Sequence, residues 1–420
     1  MPGIDTITKL RNPIYTTPGD SPQHRRAPAQ ETVRRHRLIV RGLLVGLVAG
    51  LVAGIGFGSW WFIAAADTPS TPTAQKQSAK PAATSPTPSP PPRPTTAAMA
   101  PLTLTASGPG RLTSGSRPSV LPGPILIADE QNHRLMIIDP RGRTMWQFPR
   151  PGDLAPGQTF MTPDDAFFTP DGRQIIVAQE DDNVIRVIDI ATHKIVYTYG
   201  EPGVPGSGPD RLNHPDGSLM LANGDILTPD INNCRIVLIP KGRHAISRQL
   251  GGTGTCVHSP PKTFGKPNGM FPMSNGNYLV TEANGNWVDE MDLSGHVAWS
   301  AQLPSVSYIY ESSEISPNRY VTIDHASPGQ VLTFDRAGHV LWRYAPAGSQ
   351  ALNMPSLALP LPNGDFLVDD KANHRIIVVD PRTNFVVWQY GHTHVAGSGP
   401  GYLNNPTGLD VYPPNSVLMK

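Results

Sequence analysis

Ile125-Leu-Ile-Ala-Asp-Glu-Gln-Asn-His-Arg-Leu-Met-Ile-Ile-Asp139 and Phe366-Leu-Val-Asp-Asp-Lys-Ala-Asn-His-Arg-Ile-Ile-Val-Val-Asp380 match position for position in character and share Asn-His-Arg. Ile226-Leu-Thr-Pro-Asp-Ile-Asn-Asn-Cys-Arg-Ile-Val-Leu-Ile239 is a third copy, and weaker ones run from Ile175 to Asp189, Tyr278 to Asp292 and Tyr320 to Asp335. Each is a short apolar run, a polar break and a second apolar run, the pattern of two strands around a tight loop. A second hairpin follows: Asp139 to Trp146, Asp292 to Trp299 and Asp335 to Trp342 share Asp-x-x-Gly-x-x-x-Trp. Asp380 to Trp388 is one residue longer, and the copy from Asp189 ends on Tyr197. Thr162-Pro163-Asp164, His214-Pro215-Asp216, Lys266-Pro267-Asn268, Met354-Pro355-Ser356 and Asn405-Pro406-Thr407 mark the entries. Pro163, Pro215 and Pro267 are spaced by 52 residues each, and the 88-residue step to Pro355 leaves one entry without its proline near Ser307.

Six copies of 42–52 residues with four short strands each specify an all-β fold, a six-bladed β-propeller over 121–420. A single blade cannot bury its faces alone, so the blades stack. The domain begins in mid-blade at Ile125, and the C-terminus supplies a blade entry that ends near Tyr412. Strand 409–412 is therefore expected to complete the first blade and hide both sheet edges.

The residues before the repeat have a different composition. The 47 Pro and 40 Gly of the 420-residue chain are a fifth of it, and only 16% of residues are charged. Residues 1–37 are polar with scattered prolines and read as a disordered cytoplasmic tail. Within 38–66, Gly42 to Ala66 is a run of 25 uncharged residues, long enough for a transmembrane helix. Arg34, Arg35, Arg37 and Arg41 before it put the N-terminus in the cytoplasm and the propeller outside the cell. A signal peptide cut after Ala64-Ala65-Ala66 is the competing reading, but the head and apolar run are long for one. Gly42, Gly46, Gly50, Gly54 and Gly58 form a ridge of small residues suited to close helix pairing, hence a homodimer through the membrane helix. Residues 67–120, with twelve prolines, read as an extended stalk. Residues 1–41 carry a net +5 and residues 121–420 a net −8. The acidic body argues against nucleic acid as a partner.

The Asn-x-Pro-x-Gly entries, the Ala-Asp-x-x-Asn-His-Arg-Ile hairpins and the Gly-Ser-Gly-Pro lead-ins at Gly206–Pro209 and Gly397–Pro400 resemble the NHL-repeat propeller family. The Gly-x-x-x-Trp hairpins also look like quinoprotein-like and arylsulfotransferase-type repeats. Both resemblances imply the fold and leave function open.

On the loop face, the first repeated position reads Asp129, Gln179, Asp230, Glu282, Asp324, Asp370. Five acids suggest a cation site, and calcium is the ion such ligands suit. The simpler reading is that each acid accepts N–H bonds in its own loop, and the sequence demands no cofactor. His214, His392 and His394 add to the candidate ligand face, but one His among five pre-proline residues makes no zinc centre. His133 and His374 sit inside the repeat and read as structural. His325, in the divergent stretch after Glu311 and Glu314, is the one candidate catalytic residue, a nucleophile of sulfotransferase type. The leading functional expectation is a binding or scaffolding module for protein, peptide or glycan partners; a tethered lyase, lactonase or sulfotransferase is the alternative. Cys234 replaces the histidine of its sister loops, Cys256 lies in the next blade-to-blade loop on the same face, and the compartment is oxidising, so a disulfide is expected.

Overall fold

The computed structural model describes residues 104–412. Six four-stranded antiparallel sheets form the blades of a propeller. Blade 1 consists of Pro406–Val411, Ile125–Asp129, Arg134–Ile138 and Thr144–Phe148, in that order. Its inner strand is the C-terminal one, registered Ile125↔Val411 and Ile127↔Leu409. The ring thus closes by joining the two ends of the domain, as the mid-blade start requires. Blades 2 to 6 have inner strands Ala166–Phe168, Leu219–Met220, Pro267–Pro272, Ile309–Ser316 and Ala358–Pro360.

The second and third strands of each blade are the apolar runs of the sequence repeat. Ile125–Asp129, Ile226–Asp230 and Phe366–Asp370 are buried throughout, because neighbouring blades cover both faces. Period-two alternation returns in the outer strands, as in Thr144–Phe148, where Trp146 and Phe148 are buried between partly exposed neighbours. Three tryptophans of the second hairpin join blades, while Trp299 donates to Glu290 of its own blade. Trp146 donates to the Ile190 carbonyl at 3.0 Å, Trp388 to Pro140 at 2.8 Å and Trp342 to the Asn384 side chain at 2.9 Å. Each partner lies in the next blade's outer turn.

The hairpin motif ties each blade to its own lead-in segment. In blades 1, 3 and 6 the Asp accepts the Asn side chain at 2.8 Å and the Arg Nε at 2.7 Å: Asp129 from Asn132 and Arg134, Asp230 from Asn233 and Arg235, Asp370 from Asn373 and Arg375. The other carboxylate oxygen accepts the N–H of Asn404, Asn213 and Asn353 respectively, each two residues before the entry proline. Asn132 and Asn233 also hold the Gly397 and Gly206 carbonyls of the Gly-Ser-Gly-Pro stretches, at 2.8 Å each.

The residue after the Asn is a latch to the next blade. His133, Asn183, Cys234, Asn286 and His374 all adopt positive φ, between 52° and 59°. The Thr162 N–H donates to His133 Nδ1 at 3.0 Å, His214 N–H to Asn183 at 3.1 Å, Ile309 N–H to Asn286 at 3.0 Å and Asn405 N–H to His374 Nδ1 at 3.1 Å. Ile309 pairs with Asp324 as Pro215 does with Asp230 and Pro267 with Glu282, so it occupies the place of the missing proline in blade 5 and, having an N–H, takes the latch itself. At Cys234 the latch is covalent: Cys234 and Cys256 form the expected disulfide, Cα atoms 5.1 Å apart. Replacing both cysteines by serine is expected to lower stability by about 3 kcal/mol on the chain-entropy argument, read as a shift in the denaturant midpoint; an unchanged midpoint would show that the loop is held without it.

The histidine latch makes stability depend on pH. Nδ1 of His374 must be unprotonated to accept, and burial, reinforced by His394, holds its pKa below the ordinary value. A histidine whose folded pKa is depressed contributes stability that is present above the unfolded value near 6.5 and lost as pH falls through the lower folded value. Asn183 and Asn286 show which residue replaces it. His374→Asn should keep the bond and remove its share of the loss in Tm between pH 7.5 and 5, up to about 1 kcal/mol. A variant that loses stability in parallel with the wild type would contradict the latch.

Residues 104–121 run along the outside of the ring rather than away from it. Ser107 bonds Thr144, and Thr113 and Arg117 bond the outer strand of blade 6 at Gln389 and Val387. Ordered contact with the propeller thus begins ahead of residue 121. Gly42–Ala66 and its glycine ridge lie outside the described residues. Among the described residues no helix is long and apolar enough to cross a membrane.

Candidate functional site

The position after each entry proline is buried at the inner side of its blade, and hydrogen bonds link it from blade to blade, Ser356 to Thr407 and Thr407 to Asp164. From blade 1 to blade 6 it is Thr407, Asp164, Asp216, Asn268, Tyr310 and Ser356, each in a buried stretch of chain. The next position is glycine in blades 1, 3 and 4 (Gly408, Gly217, Gly269), but Asp165 in blade 2 and Glu311 in blade 5. The two glycines of blades 3 and 4 leave room for the second acid. A Cβ on Gly217 would lie 3.4 Å from Glu311 Oε1, and one on Gly269 3.3 Å from the same oxygen. Asp165 meets Glu311 there and accepts the Gly217 N–H at 3.1 Å. Blades 2 and 5 face each other across a six-blade ring, so the two acids close the channel from opposite sides.

Asp164, Asp165 and Asp216 bring one carboxylate oxygen each within 4.8 Å of the others. All are at most 2% exposed, as is Glu311. Asp164 accepts the Thr407 hydroxyl, and Asp216 accepts the Gly217 N–H at 2.9 Å. One oxygen of each Asp, both oxygens of Glu311 and the Asn268 carbonyl oxygen have no hydrogen-bond donor of their own; the carboxyl groups face one another instead, Glu311 against Asp165 and Asp165 against Asp216. Buried polar atoms are normally satisfied, and other buried acids of this protein are. Asp369 accepts the N–H groups of Ser356 and Leu357 at 2.7 Å each, and Asp410 those of Phe168 at 2.8 Å and Val411 at 2.7 Å.

Burial pushes Asp164 up to about 6 against the pull of Lys371, and drives Asp165, Asp216 and Glu311 well above the carboxylate range with help from one another. Lys371 is the counter-charge at the rim, 2.7 Å from Glu130. Burial opposes its charge, but Asp164 and Glu130 prevail and hold its pKa above the ordinary lysine value. His214 Nδ1 sits 3.2 Å from Glu180, and that bond raises its pKa.

The acids anticipated at the hairpin position are engaged elsewhere. Asp129, Asp230 and Asp370 serve the Asn-Arg clamps described above. Asp324 accepts the Ser307 and Tyr308 N–H groups at 3.0 Å and Gln330 at 2.8 Å. Glu282 accepts the Gly265 N–H and meets His258. They share no common centre, so the convergent oxygens are those of the post-proline position instead. His392 packs against Tyr402 with centroids 4.2 Å apart and planes tilted by 32°, and His394 stays beside it on the blade 6 loop. His325 stacks on Tyr310 at 4.8 Å, and its Nδ1 lies 2.9 Å from the Pro355 carbonyl, which makes Nδ1 the protonated nitrogen. Burial lowers its pKa, leaving a neutral imidazole near the channel mouth.

A family model described as outer membrane protein assembly factor BamB matches residues 243–399. That span holds three of the Trp hairpins. Among solved structures the chain is similar to a protein of unknown function from Bacteroides caccae, at 13% identity and TM-score 0.49, over 69% of this chain and 98% of that one. It is also similar to streptogramin B lyase, at 16% identity and TM-score 0.46, over 73% of this chain and 88% of that one. A third is catalytically inactive virginiamycin B lyase from Staphylococcus aureus with quinupristin, at 15% identity and TM-score 0.42, over 67% and 86%. Such likenesses extend to the propeller and not to what this chain does. No curated protein matches it.

Proposed function

We propose that the chain is a membrane-anchored binding propeller whose loop face is organised by a hard divalent cation, calcium, held on the axis by Asp164, Asp165, Asp216 and Glu311. The observation that carries this reading is the set of buried, converging oxygens without hydrogen-bond donors of their own. Oxygens around calcium at 2.3–2.6 Å span at most about 5 Å, which matches the separation of the three aspartates. Asn268 and Thr407 supply neutral oxygens of the same kind. The ion would fix the inner ends of several blades and so the shape of the mouth above them, where Glu130, Glu180, His214 and Lys371 form a polar rim. A protein, peptide or glycan partner outside the cell fits that rim better than an anionic polymer does. The NHL-like entries support the same class of propeller, and the arginine asymmetry around Gly42–Ala66 supports the outside location. Cross-linking of the full chain to its partner on intact cells should depend on calcium and fail in Asp216→Asn; recovery that ignores both would sink the reading.

The enzyme alternative keeps one specific support. His325 is neutral, oriented by Pro355 and close to Asp164 and Lys371, so its Nε2 is available as a base at the mouth. A partner modified after incubation with wild type, but not with His325→Gln, would establish it.

The membrane helix is proposed to pair through Gly42–Gly58. Replacing Gly50 and Gly54 by isoleucine should reduce self-association of the span several-fold in a membrane reporter; unchanged association would remove the ridge from the account.

A further inference from the structure

Blade 4 departs from its sisters at the hairpin clamp. Where blades 1, 3 and 6 pair an aspartate with Arg134, Arg235 or Arg375, blade 4 sets Glu282 opposite Trp287. Two residues on, at the position where Arg186 of blade 2 meets Gln179, stands Asp289. Two carboxyl groups therefore face each other with no arginine between them. Both residues are fully buried. Among the described residues no lysine or arginine pairs with either one; the group that does is His258. Its Nδ1 lies 3.1 Å from Glu282 Oε1 and 4.0 Å from Asp289 Oδ2. Neither oxygen of Asp289 has a donor at full hydrogen-bond geometry; Glu282 and Ser300 lie beside it.

We infer that His258, Glu282 and Asp289 form a binding site for a divalent transition-metal ion of the zinc type, set by the Cys234–Cys256 disulfide and distinct from the axial cluster. The three ligand atoms lie within 4.8 Å of one another. Ligands on a tetrahedral zinc at 2.0–2.2 Å are about 3.4 Å apart, and the two histidine separations bracket that value. One imidazole nitrogen beside two carboxylates suits zinc, manganese or cobalt better than calcium. The second shell is built. The Trp287 indole stacks on His258 with centroids 3.9 Å apart and planes 3° from parallel, which fixes the imidazole plane. Gly265 donates its N–H to the other Glu282 oxygen, leaving Oε1 for the ion. Outer partners of this kind orient metal ligands. The His258 side chain is 19% exposed, so the site has an entrance, and three protein ligands leave a fourth position for water or a ligand atom.

The disulfide positions the histidine. Cys256 is two residues before His258 and is bonded to the blade 3 hairpin, while its carbonyl accepts Asn284 of blade 4 at 3.2 Å. The bridge thus holds the loop across the two blades whose junction the site occupies. Breaking it frees the loop that carries the only nitrogen ligand, so metal affinity is expected to follow the oxidation state of the cysteines.

Cobalt(II) tests the site with a spectroscopic readout. The untagged full chain is titrated with cobalt in saturating calcium, which keeps the axial oxygens filled. One equivalent should give the visible absorption of a four-coordinate ion with a nitrogen ligand, and one equivalent of zinc should abolish it. His258→Gln and Asp289→Asn should each weaken binding at least 100-fold, and the Cys234→Ser, Cys256→Ser double variant about tenfold. If a variant does not fold, zinc should protect His258 of the wild type from diethylpyrocarbonate. No cobalt spectrum, no protection, or binding unchanged in Asp289→Asn would overturn the site. A wild type that binds no metal, with Asp289→Asn merely raising Tm, would show that the two carboxyls share a proton instead.

Discussion

Replacing Arg375 by alanine is expected to destabilise the protein by about 3–5 kcal/mol, the cost of leaving a buried carboxylate without its partner. Arg375 and Asp370 are both fully buried and 2.7 Å apart. The guanidinium also donates to the Gln350 carbonyl at 3.3 Å and to Thr393 at 3.1 Å, so its loss orphans acceptors from three segments of blade 6. Arg382 makes an ion pair of similar length with Asp380, 2.8 Å, but its side chain is 70% exposed. Arg382→Ala should therefore cost less than about 1 kcal/mol. Urea denaturation of the two variants compares them directly. Equal losses would mean that the Asp-x-x-Asn-x-Arg repeat is not what secures each lead-in, and the account of the clamps would have to be rebuilt.

These clamps explain why the fold could be read before any coordinates. Asp129, Asn132 and Arg134 recur at the same offsets in blades 3 and 6 because the same three bonds are needed wherever a lead-in must be held. Repetition in sequence is here repetition of a local hydrogen-bond problem. The closure of the ring followed from where the repeat was cut, between Val411 and Ile125. The disulfide was legible for the same reason, since Cys234 stands in a latch position that histidine or asparagine fills in four other blades.

The axial cluster was harder to see. In the sequence the residues before the prolines are the candidate ligands, yet Thr162, His214, Lys266, Met354 and Asn405 all have positive φ, from 40° to 59°, and turn onto the rim. The residue after each proline is buried at or just ahead of the inner strand. Asp164, Asp216 and Asn268 stood in the quoted entries, but nothing in the sequence states which flank of the proline faces inward. Glu311 was noted only as a neighbour of His325. Blade 5 has Ile309 in place of the proline, and without that marker its alignment with Asp165 and Gly217 depends on the pairing of Ile309 with Asp324. The blade 4 metal site escaped for another reason. In the sequence Glu282 stands with the other hairpin acids, whereas its chemistry comes from what is absent, an arginine, and from His258 in a loop with no repeat to compare.

The second large effect concerns the axis. Calcium bound to Asp164, Asp165, Asp216 and Glu311 should raise Tm, by the equivalent of about 4 kcal/mol at a thousandfold excess over Kd. Asp165, Asp216 and Glu311 have pKa values driven well above the carboxylate range by burial and mutual repulsion. Carboxyl groups raised in this way keep their protons to higher pH than free ones do, and an ion that binds must displace the protons they hold. Affinity is therefore expected to rise with pH, and protons released per ion to exceed zero. A proton-sharing cluster with no ion would behave in the opposite way: Asp165→Asn would then stabilise, because it removes one acid from the cluster and no ligand from an ion.

Calorimetric titration of the full chain with calcium, repeated in two buffers of different ionisation enthalpy, separates these cases most directly. The account predicts one ion per chain with proton release in the wild type, and at least a hundredfold weaker binding in Asp165→Asn and in Glu311→Gln. No heat of binding in the wild type, or equal affinity in all three proteins, would contradict it.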